Sequence, residues 1–154
     1  MYEYSSKIIR VVDGDTVDVD INLGFGVVLA KQRVRLYGID TPESRTRDSV
    51  EKIFGKTAAK FLESKLGEKC TLKTRLDSKG KYGRILGEFV VYDEVTDSYM
   101  TVNDIMIRDH YAVKYYGQSK DEVEDEHLKN RDLLIEKMGL TDYSSLIEKM
   151  DLDL

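Results

Sequence analysis

Residues 16–23 read Thr-Val-Asp-Val-Asp-Ile-Asn-Leu, and this alternation of apolar and polar side chains decides the fold class. A period of two is typical of a strand with one buried face. The stretch 27–38 continues the pattern after a Gly-Phe-Gly turn. Further β-rich stretches occupy residues 7–12, 70–76 and 84–92. The sequence therefore predicts five strands.

Helical spacing of apolar residues appears in three other places. Asp48, followed by Glu51 three residues later, is typical of a capping box at the start of a helix, and Gly67 is placed to end that helix. Two further helices are predicted over 102–109 and 121–138. Five strands, interrupted by one helix and followed by two, predict an α+β protein: a five-stranded OB-fold β-barrel with three helices packed outside.

Size and charge define the class of protein further. The 154 residues suggest a single domain. The net charge is −5, but residues 118–154 hold 11 acidic and 5 basic side chains, whereas residues 1–117 hold 18 acidic and 19 basic. The acidity therefore lies in the C-terminal part, and a polyanionic partner for the near-neutral body is not excluded.

No secretory signal is visible in the sequence as given, which leaves secretion open if a leader was removed. The first residues lack a basic segment followed by an apolar one, and the apolar runs are too short to span a membrane. Cys70 is the single cysteine, so no intrachain disulfide forms, and its alternating context predicts a buried side chain. We expect a monomeric cytoplasmic protein without a membrane partner.

Two short motifs carry oxygen ligands at the ends of predicted strands. Asp15 lies in Asp-Gly-Asp-Thr, and Asp40-Thr41-Pro42-Glu43 follows another strand. Each motif alone is also an ordinary turn. Read together, the Asp15 and Asp40 carboxylates and the Thr41 backbone carbonyl offer oxygen ligands only, which favours Ca²⁺, Mg²⁺ or Mn²⁺ over zinc. Pro42 restricts the backbone and gives Glu43 a defined direction.

Two arginines are placed to bind a phosphate. Arg35 lies on the strand before Asp40, and Arg84 begins a strand after a Lys-Tyr-Gly loop. A guanidinium group matches phosphate bidentately and stays charged at any working pH. Tyr82 and Tyr116 are candidates for stacking on bases. Oxygen ligands and paired arginines together are the equipment for hydrolysing a phosphodiester.

The order of the motifs resembles the staphylococcal nuclease (thermonuclease) family over about residues 7–139. The similarity is carried by Asp-Gly-Asp-Thr at 13–16, Arg-Leu-Tyr-Gly-Ile-Asp-Thr-Pro-Glu at 35–43, Lys-Tyr-Gly-Arg at 81–84 and Val-Asn-Asp at 102–104. The resemblance implies an OB-fold barrel with three helices. It also implies a Ca²⁺-dependent nuclease acting on single-stranded or locally open DNA and on RNA, leaving 3′-phosphate ends, with Mg²⁺ or Mn²⁺ as weaker substitutes.

The resemblance also assigns roles to individual residues. By this likeness Asp15, Asp40 and the Thr41 carbonyl bind calcium, and Glu43 orients or activates the attacking water. The likeness also assigns Arg35 and Arg84 to the scissile phosphate. Lys81 and Tyr82 match residues that contact the neighbouring phosphate, and Tyr116 matches a tyrosine of the nucleotide pocket.

Departures from the family pattern keep alternatives open. His110 stands where the family usually has glycine, and neither His110 nor His127 has the spacing of a metal ligand, so we expect a structural or surface role for both. An acidic extension, 141–154, follows the nuclease domain of 1–140, and its amphipathic sequence allows a packing helix, a contact surface or no role. The alternative function is a non-catalytic nucleic-acid- or protein-binding module of the same fold. A metal-dependent phosphomonoesterase of the haloacid-dehalogenase type is a weaker alternative, since Thr16 comes one residue too early for the Asp-x-Asp-x-Thr motif of those enzymes.

Overall fold

A computed structural model describes residues 2–79 and 84–154 of the chain. The elements follow one another as β1 (Tyr2–Asp13), β2 (Thr16–Gly24), β3 (Val27–Leu36), β4 (Ile39–Asp40), α1 (Ser49–Leu66), β5 (Lys69–Lys79), β6 (Ile85–Asp93), β7 (Ser98–Thr101), α2 (Val102–Arg108), β8 (Val113–Lys114), α3 (Lys120–Lys137) and α4 (Ser145–Lys149).

Five strands form a closed cycle of pairings. Neighbours in the order β3-β2-β1-β5-β6 are antiparallel, and β3 also pairs in parallel with β6, with Val34 opposite Ile85 and Leu36 opposite Gly87. A sheet whose end strands pair with each other must curl. The predicted α+β fold is confirmed. Strand β1 begins earlier than predicted, and β7 adds a sixth strand beside β6.

The interior of the curled sheet is the apolar face that alternation predicts. Val17, Val19 and Ile21 are at most 2% exposed, and Phe89 enters the same core from β6. Burial of each such side chain is worth about 1.5–3 kcal/mol. Leu23, the next residue of the alternation, is 43% exposed because the β2–β3 hairpin runs past the core.

Helix α1 covers one side of the sheet and begins where the sequence predicts. The Asp48 side chain accepts hydrogen bonds from the backbone N–H groups of Val50 and Glu51. The reciprocal half of the predicted capping box does not form: Glu51 Oε2 accepts instead from the Glu43 backbone N–H at 3.1 Å. The first turn of the helix is thereby tied to the loop that carries Glu43.

Four helices, not three, occur among the described residues. The additional one, α4, lies in the acidic extension, where Leu146 is fully buried against Ile53 and Phe54 of α1 and Leu134 of α3. A five-residue helix is too short to be stable alone. Its amphipathic sequence therefore specifies a packing helix, the first of the three possibilities that the sequence left open.

An ion-pair network joins α2 to β6 and α3. Arg108 donates from Nη1 and Nη2 to the two Asp93 oxygens at 2.7 and 3.0 Å and from Nε to Asp109 Oδ1 at 3.0 Å. Lys137 Nζ donates to the same Asp109 oxygen at 2.7 Å. The side chain of Asp93 is 1% exposed. Each carboxylate of this network therefore faces at least one cation.

One smaller expectation is also confirmed. Cys70 is buried, and burial raises the pKa of its thiol to about 11. His110 has a left-handed backbone, with φ of 71°, directly after α2. No helix in the described part of the chain is long and apolar enough to cross a membrane.

Candidate active site

The two predicted ligand motifs meet at one end of the curled sheet. Thr16 on β2 is paired with Arg35 on β3, and the Leu36 N–H donates to the Asp15 carbonyl at 2.8 Å. Gly14 lies against Thr41, where a Cβ would come within 2.9 Å of the Thr41 Oγ1 and of the Ala58 Cβ. Glycine is required there because the two loops approach so closely.

Arg35 lies between the two carboxylates that the sequence proposes as cation ligands. Its Nη2 atom is 3.3 Å from Asp15 Oδ2 and 3.7 Å from Asp40 Oδ1, and its Nη1 donates to the Leu36 carbonyl at 2.8 Å. All three charged side chains are half-buried or more. One nitrogen thus marks the point toward which both carboxylates converge.

Glu43 belongs to a group of carboxylates with too few cations around them. Burial, followed by the charges of Asp13, Asp15, Asp40 and Glu51, raises the pKa of its carboxyl. Burial and the charge of Asp15 likewise raise the pKa of Asp13. We call these five residues the carboxylate cluster. Its excess negative charge favours the binding of a cation.

Arg84 stands just before β6, whose first residues pair in parallel with the end of β3 that carries Arg35. It immediately precedes Ile85, which is opposite Val34, and Leu86 is opposite Arg35. Arg35, Asp40 and Arg84 line one cavity of about 940 Å³ together with the exposed Tyr116. The structure therefore brings both predicted phosphate-binding arginines to the same opening.

The wall of this cavity holds residues that sequence reasoning missed. The Arg75 guanidinium lies 4.0 Å from the centre of the Tyr37 ring, and Arg75 Nη2 is 3.3 Å from Glu88 Oε1. The strand periodicity places Arg75 and Glu88 on neighbouring β5 and β6. The periodicity alone does not predict the cavity, because its lining comes from strands that are brought together only by the pairing of β3 with β6.

His127 is the second site residue that the sequence did not reveal. Its Nε2 atom lies 2.7 Å from Asp40 Oδ2, so His127 contacts a predicted cation ligand. The two residues are 87 positions apart, and only the packing of α3 against the sheet brings them together. His110 follows the end of α2 and shares a small cavity with His127, apart from the two cavities that Asp40 lines.

Two predicted residues, Lys81 and Tyr82, lie outside the residues that the structure describes. Thr41 is 3% exposed, and its Oγ1 has no hydrogen-bond partner among the described residues. Asp40, Thr41 and Glu43 line a second cavity, next to His127 of α3, and Asp15 lies 3.3 Å from Arg35.

The donor set fits a hard divalent cation. Within the described ranges, no three His, Cys, Asp or Glu side chains are grouped as a metal site. A cation here would be held by Asp15, Asp40 and the Thr41 carbonyl, with water completing the shell. Oxygen donors of this kind suit Ca²⁺, Mg²⁺ or Mn²⁺. The Thr41 Oγ1 atom is also buried without a hydrogen-bond partner among the described residues, beside the carbonyl that would bind the cation.

The site thus combines two carboxylates beside Arg35 with a second arginine, Arg84, at the same cavity of a curled sheet. The family model described as "Staphylococcal nuclease homologue" matches residues 33–133. That range includes Arg35, Asp40, Glu43 and Arg84. The chain belongs to the staphylococcal nuclease family.

Several curated proteins are similar to the chain. Endonuclease YhcR of Bacillus subtilis (strain 168) is 32% identical over 130 residues, which cover 80% of this chain and 10% of that protein. Thermonuclease of Staphylococcus hyicus is 29% identical over 119 residues, covering 77% of this chain and 67% of that protein. Micrococcal nuclease of Shigella flexneri is 30% identical over 126 residues, covering 77% and 64%. The matched part is thus a small fraction of YhcR and about two thirds of the other two proteins.

Proposed function

We propose that the chain is a calcium-dependent nuclease that hydrolyses phosphodiester bonds of DNA or RNA and leaves 3′-phosphate ends. The observation that carries the proposal is the position of Arg35 against both Asp15 and Asp40, at a cavity that Arg84 also lines. The names of the similar proteins, which include an endonuclease and a thermonuclease, support a nucleic acid as the substrate.

The cation site consists of Asp15, Asp40 and the Thr41 carbonyl. Calcium, when bound, would supply a Lewis acid that polarises a phosphate oxygen. Ca²⁺ accepts irregular sets of six to eight oxygens, whereas Mg²⁺ demands a near-ideal octahedron. A site built from two carboxylates and a loop carbonyl therefore favours Ca²⁺, with Mg²⁺ and Mn²⁺ as weaker substitutes.

Glu43 is assigned to the attacking water. Its backbone N–H is fixed by Glu51, and its carboxylate shares the charge field of Asp15 and Asp40. In that position the carboxylate orients a water molecule in line with the scissile bond and accepts its proton. Positioned proton transfer contributes about 10²–10⁴-fold to rate.

Arg35 and Arg84 are assigned to the phosphate. They bind the nonbridging oxygens and offset the negative charge that develops toward the departing 5′ oxygen. A guanidinium group donates hydrogen bonds here and keeps its own protons. The arginines therefore stabilise charge, and the proton needed by the leaving oxygen comes from solvent.

The remaining assignments concern the substrate and the chain as a whole. Tyr116, exposed at the cavity, would stack on a base, and Lys81 and Tyr82 would contact the neighbouring phosphate. Such stacking favours single-stranded or locally open nucleic acid. We assign these functions to residues 1–140, with 141–154 outside the active site. A cytoplasmic location and a monomeric state remain predictions.

The test uses end-labelled single-stranded DNA and an RNA of the same sequence, incubated with Ca²⁺, Mg²⁺, Mn²⁺ or EDTA. We expect cleavage that is fastest with Ca²⁺, slower with Mg²⁺ or Mn²⁺ and absent in EDTA. Treating the fragments with a 3′-phosphatase should change their mobility, because the proposal requires 3′-phosphate ends.

Three outcomes would contradict the proposal in different ways. Full cleavage in EDTA would show that the reaction needs no divalent cation. Binding of the oligonucleotide without cleavage in any cation would support the non-catalytic module instead. Hydrolysis of terminal phosphates alone would support a phosphomonoesterase.

A further inference from the structure

The two oxygens of Asp40 have different partners. Oδ1 is 3.7 Å from Arg35 Nη2, the atom that also lies 3.3 Å from Asp15 Oδ2. Oδ2 is 2.7 Å from His127 Nε2, on the side of helix α3. An aspartate side chain on its own rotates broadly about its last torsion. Here each oxygen has a fixed neighbour, so the orientation of the carboxylate is specified.

Helix α3 is a firm support for that contact. Leu134, two turns after His127, is 2% exposed and packs on Ile53 and Phe54 of α1. Asn130 Nδ2 donates to the Ala112 carbonyl at 3.0 Å, just before the strand β8 that pairs with Asp40. The side chain of His127 is itself only 13% exposed. The helix therefore holds the imidazole at a defined place beside Asp40.

We propose that His127 is a positioning residue for the cation site: its Nε2–H donates to Asp40 Oδ2 and thereby keeps Oδ1 turned toward Asp15. The inference deepens the proposed function and rests on its assignment of Asp15 and Asp40 as cation ligands. It holds for either charge state of the imidazole, because Nε2 carries a hydrogen in the cation and in one neutral tautomer. Hydrogen bonds of this kind orient metal-binding carboxylates in many proteins.

The proposal separates positioning from mere packing. A contact that only stabilised α3 would change the free energy of unfolding and leave cation affinity unchanged. A contact that orients Asp40 must change cation affinity in a protein that is folded. Loss of such an outer hydrogen bond typically weakens metal binding about 10–100-fold.

Cation affinity is measured directly, without substrate, by calorimetric titration with Ca²⁺ and by Tb³⁺ luminescence. His127→Phe keeps the size of the ring and removes the donor, and His127→Ala serves if the phenylalanine variant does not fold. We expect about 10–100-fold weaker binding of both ions in these variants. His127→Gln offers an amide N–H to Oδ2 and should restore most of the affinity.

His110→Asn is the matched control. It replaces the other histidine of the sequence, which lies apart from the two cavities that Asp40 lines, and asparagine tolerates the left-handed backbone found there. We expect wild-type cation affinity for this variant. At saturating Ca²⁺, His127→Phe should also recover much of its turnover, since the carboxylates themselves are intact.

Two results would overturn the inference, and they are distinguishable. Wild-type affinity for Ca²⁺ and Tb³⁺ in folded His127→Phe would overturn it alone and leave the cation site in place. A wild-type protein that binds neither ion would overturn the cation site of the proposed function, and this inference with it.

Discussion

The molecule contains two groups of acidic side chains whose electrostatics are opposite. In the ion-pair network, hydrogen bonds from Arg108 and then from Thr96 hold the pKa of Asp93 far below its usual range. In the carboxylate cluster, burial and neighbouring carboxylates raise the pKa of Glu43. Residues of the same chemical type therefore serve different ends, and the number of nearby cations makes the difference.

Asp109 shows how nearby cations offset the effect of burial on the pKa of a carboxyl in the ion-pair network. Burial alone raises the pKa of this carboxyl, but hydrogen bonds from Arg108 and Lys137 outweigh burial, and the pKa is lowered overall. No comparable compensation reaches Glu43. The carboxylates of the ion-pair network have their charge compensated by arginine and lysine. The carboxylate cluster has excess negative charge, which favours the binding of a cation.

The largest expected difference between the carboxylate cluster and the ion-pair network is in their contribution to catalytic activity. Glu43→Gln and Arg84→Ala should each lower kcat at least about 10²-fold, because a preorganised electrostatic contact or a positioned base is worth that much. Turnover of single-stranded DNA at saturating Ca²⁺ provides the measurement, with circular dichroism to show that each variant is folded. Glu63→Gln and Lys60→Ala, exposed on α1, are the matched controls.

If both site variants turned over DNA at the wild-type rate, the carboxylate cluster would have no catalytic use. The distinction between the two acidic groups would then be one of stability alone.

Removing the Arg108 guanidinium group from the ion-pair network should lower stability and leave activity unchanged. Arg108→Met keeps the apolar stem and leaves Asp93 buried without its main partner, so we expect the melting temperature to fall by at least about 5 °C. The turnover of the folded fraction should stay near that of the wild type. Thermal unfolding followed by circular dichroism, and turnover at a temperature well below the transition, measure the two effects.

The pH dependence of that effect has a definite sign. A carboxyl whose pKa is lower in the folded protein contributes stability above its unfolded pKa, about 3.9 for aspartate, and loses it as the pH falls further. The difference in melting temperature between the wild type and Arg108→Met should therefore shrink below about pH 4. A difference that is constant down to pH 2 would show that packing, not charge, explains it.

The smallest effect is expected from relieving repulsion in the carboxylate cluster. In EDTA at pH 7, Glu43→Gln should raise the free energy of unfolding by at most about 1 kcal/mol, the ceiling for charges screened by solvent. A raised pKa means that the ionised form is disfavoured in the folded state, so the wild type loses stability as the pH rises through that pKa. The advantage of the variant should disappear below the unfolded pKa of about 4.3.

Chemical denaturation at several pH values measures this difference, with Glu63→Gln as the exposed control. A variant that is less stable than the wild type at pH 7 in EDTA would contradict the unbalanced charge of the cluster.

Local patterns predicted the parts of this structure that depend on local physics. The alternation from Val17 to Ile21 specified a strand with one buried face, and Asp48 specified the start of α1. The motifs around Asp15 and Asp40 also pointed to a shared site, because both stand at strand ends. For the strand and the start of the helix, the determining contacts lie within a few residues of the sequence signal, whereas Asp15 and Asp40 meet through Arg35.

The parts that sequence did not reveal depend on long-range packing. His127 meets Asp40 across 87 residues, and Glu51 bonds to the Glu43 backbone instead of completing its own capping box. Leu146 specifies α4 only because Ile53, Phe54 and Leu134 already form a surface to receive it. No period or capping rule contains that information.

The contact between α1 and the loop of Glu43 also limits which substitutions α1 tolerates at Gly55. A Cβ at Gly55 would overlap the Glu43 carbonyl, so even alanine, the residue that helices otherwise favour by about 1 kcal/mol over glycine, would push the loop away from the sheet. A library of substitutions selected for activity should therefore retain glycine at this position, although nothing in the helix itself demands it. In that sense Gly55 encodes the placement of a residue twelve positions earlier in the chain.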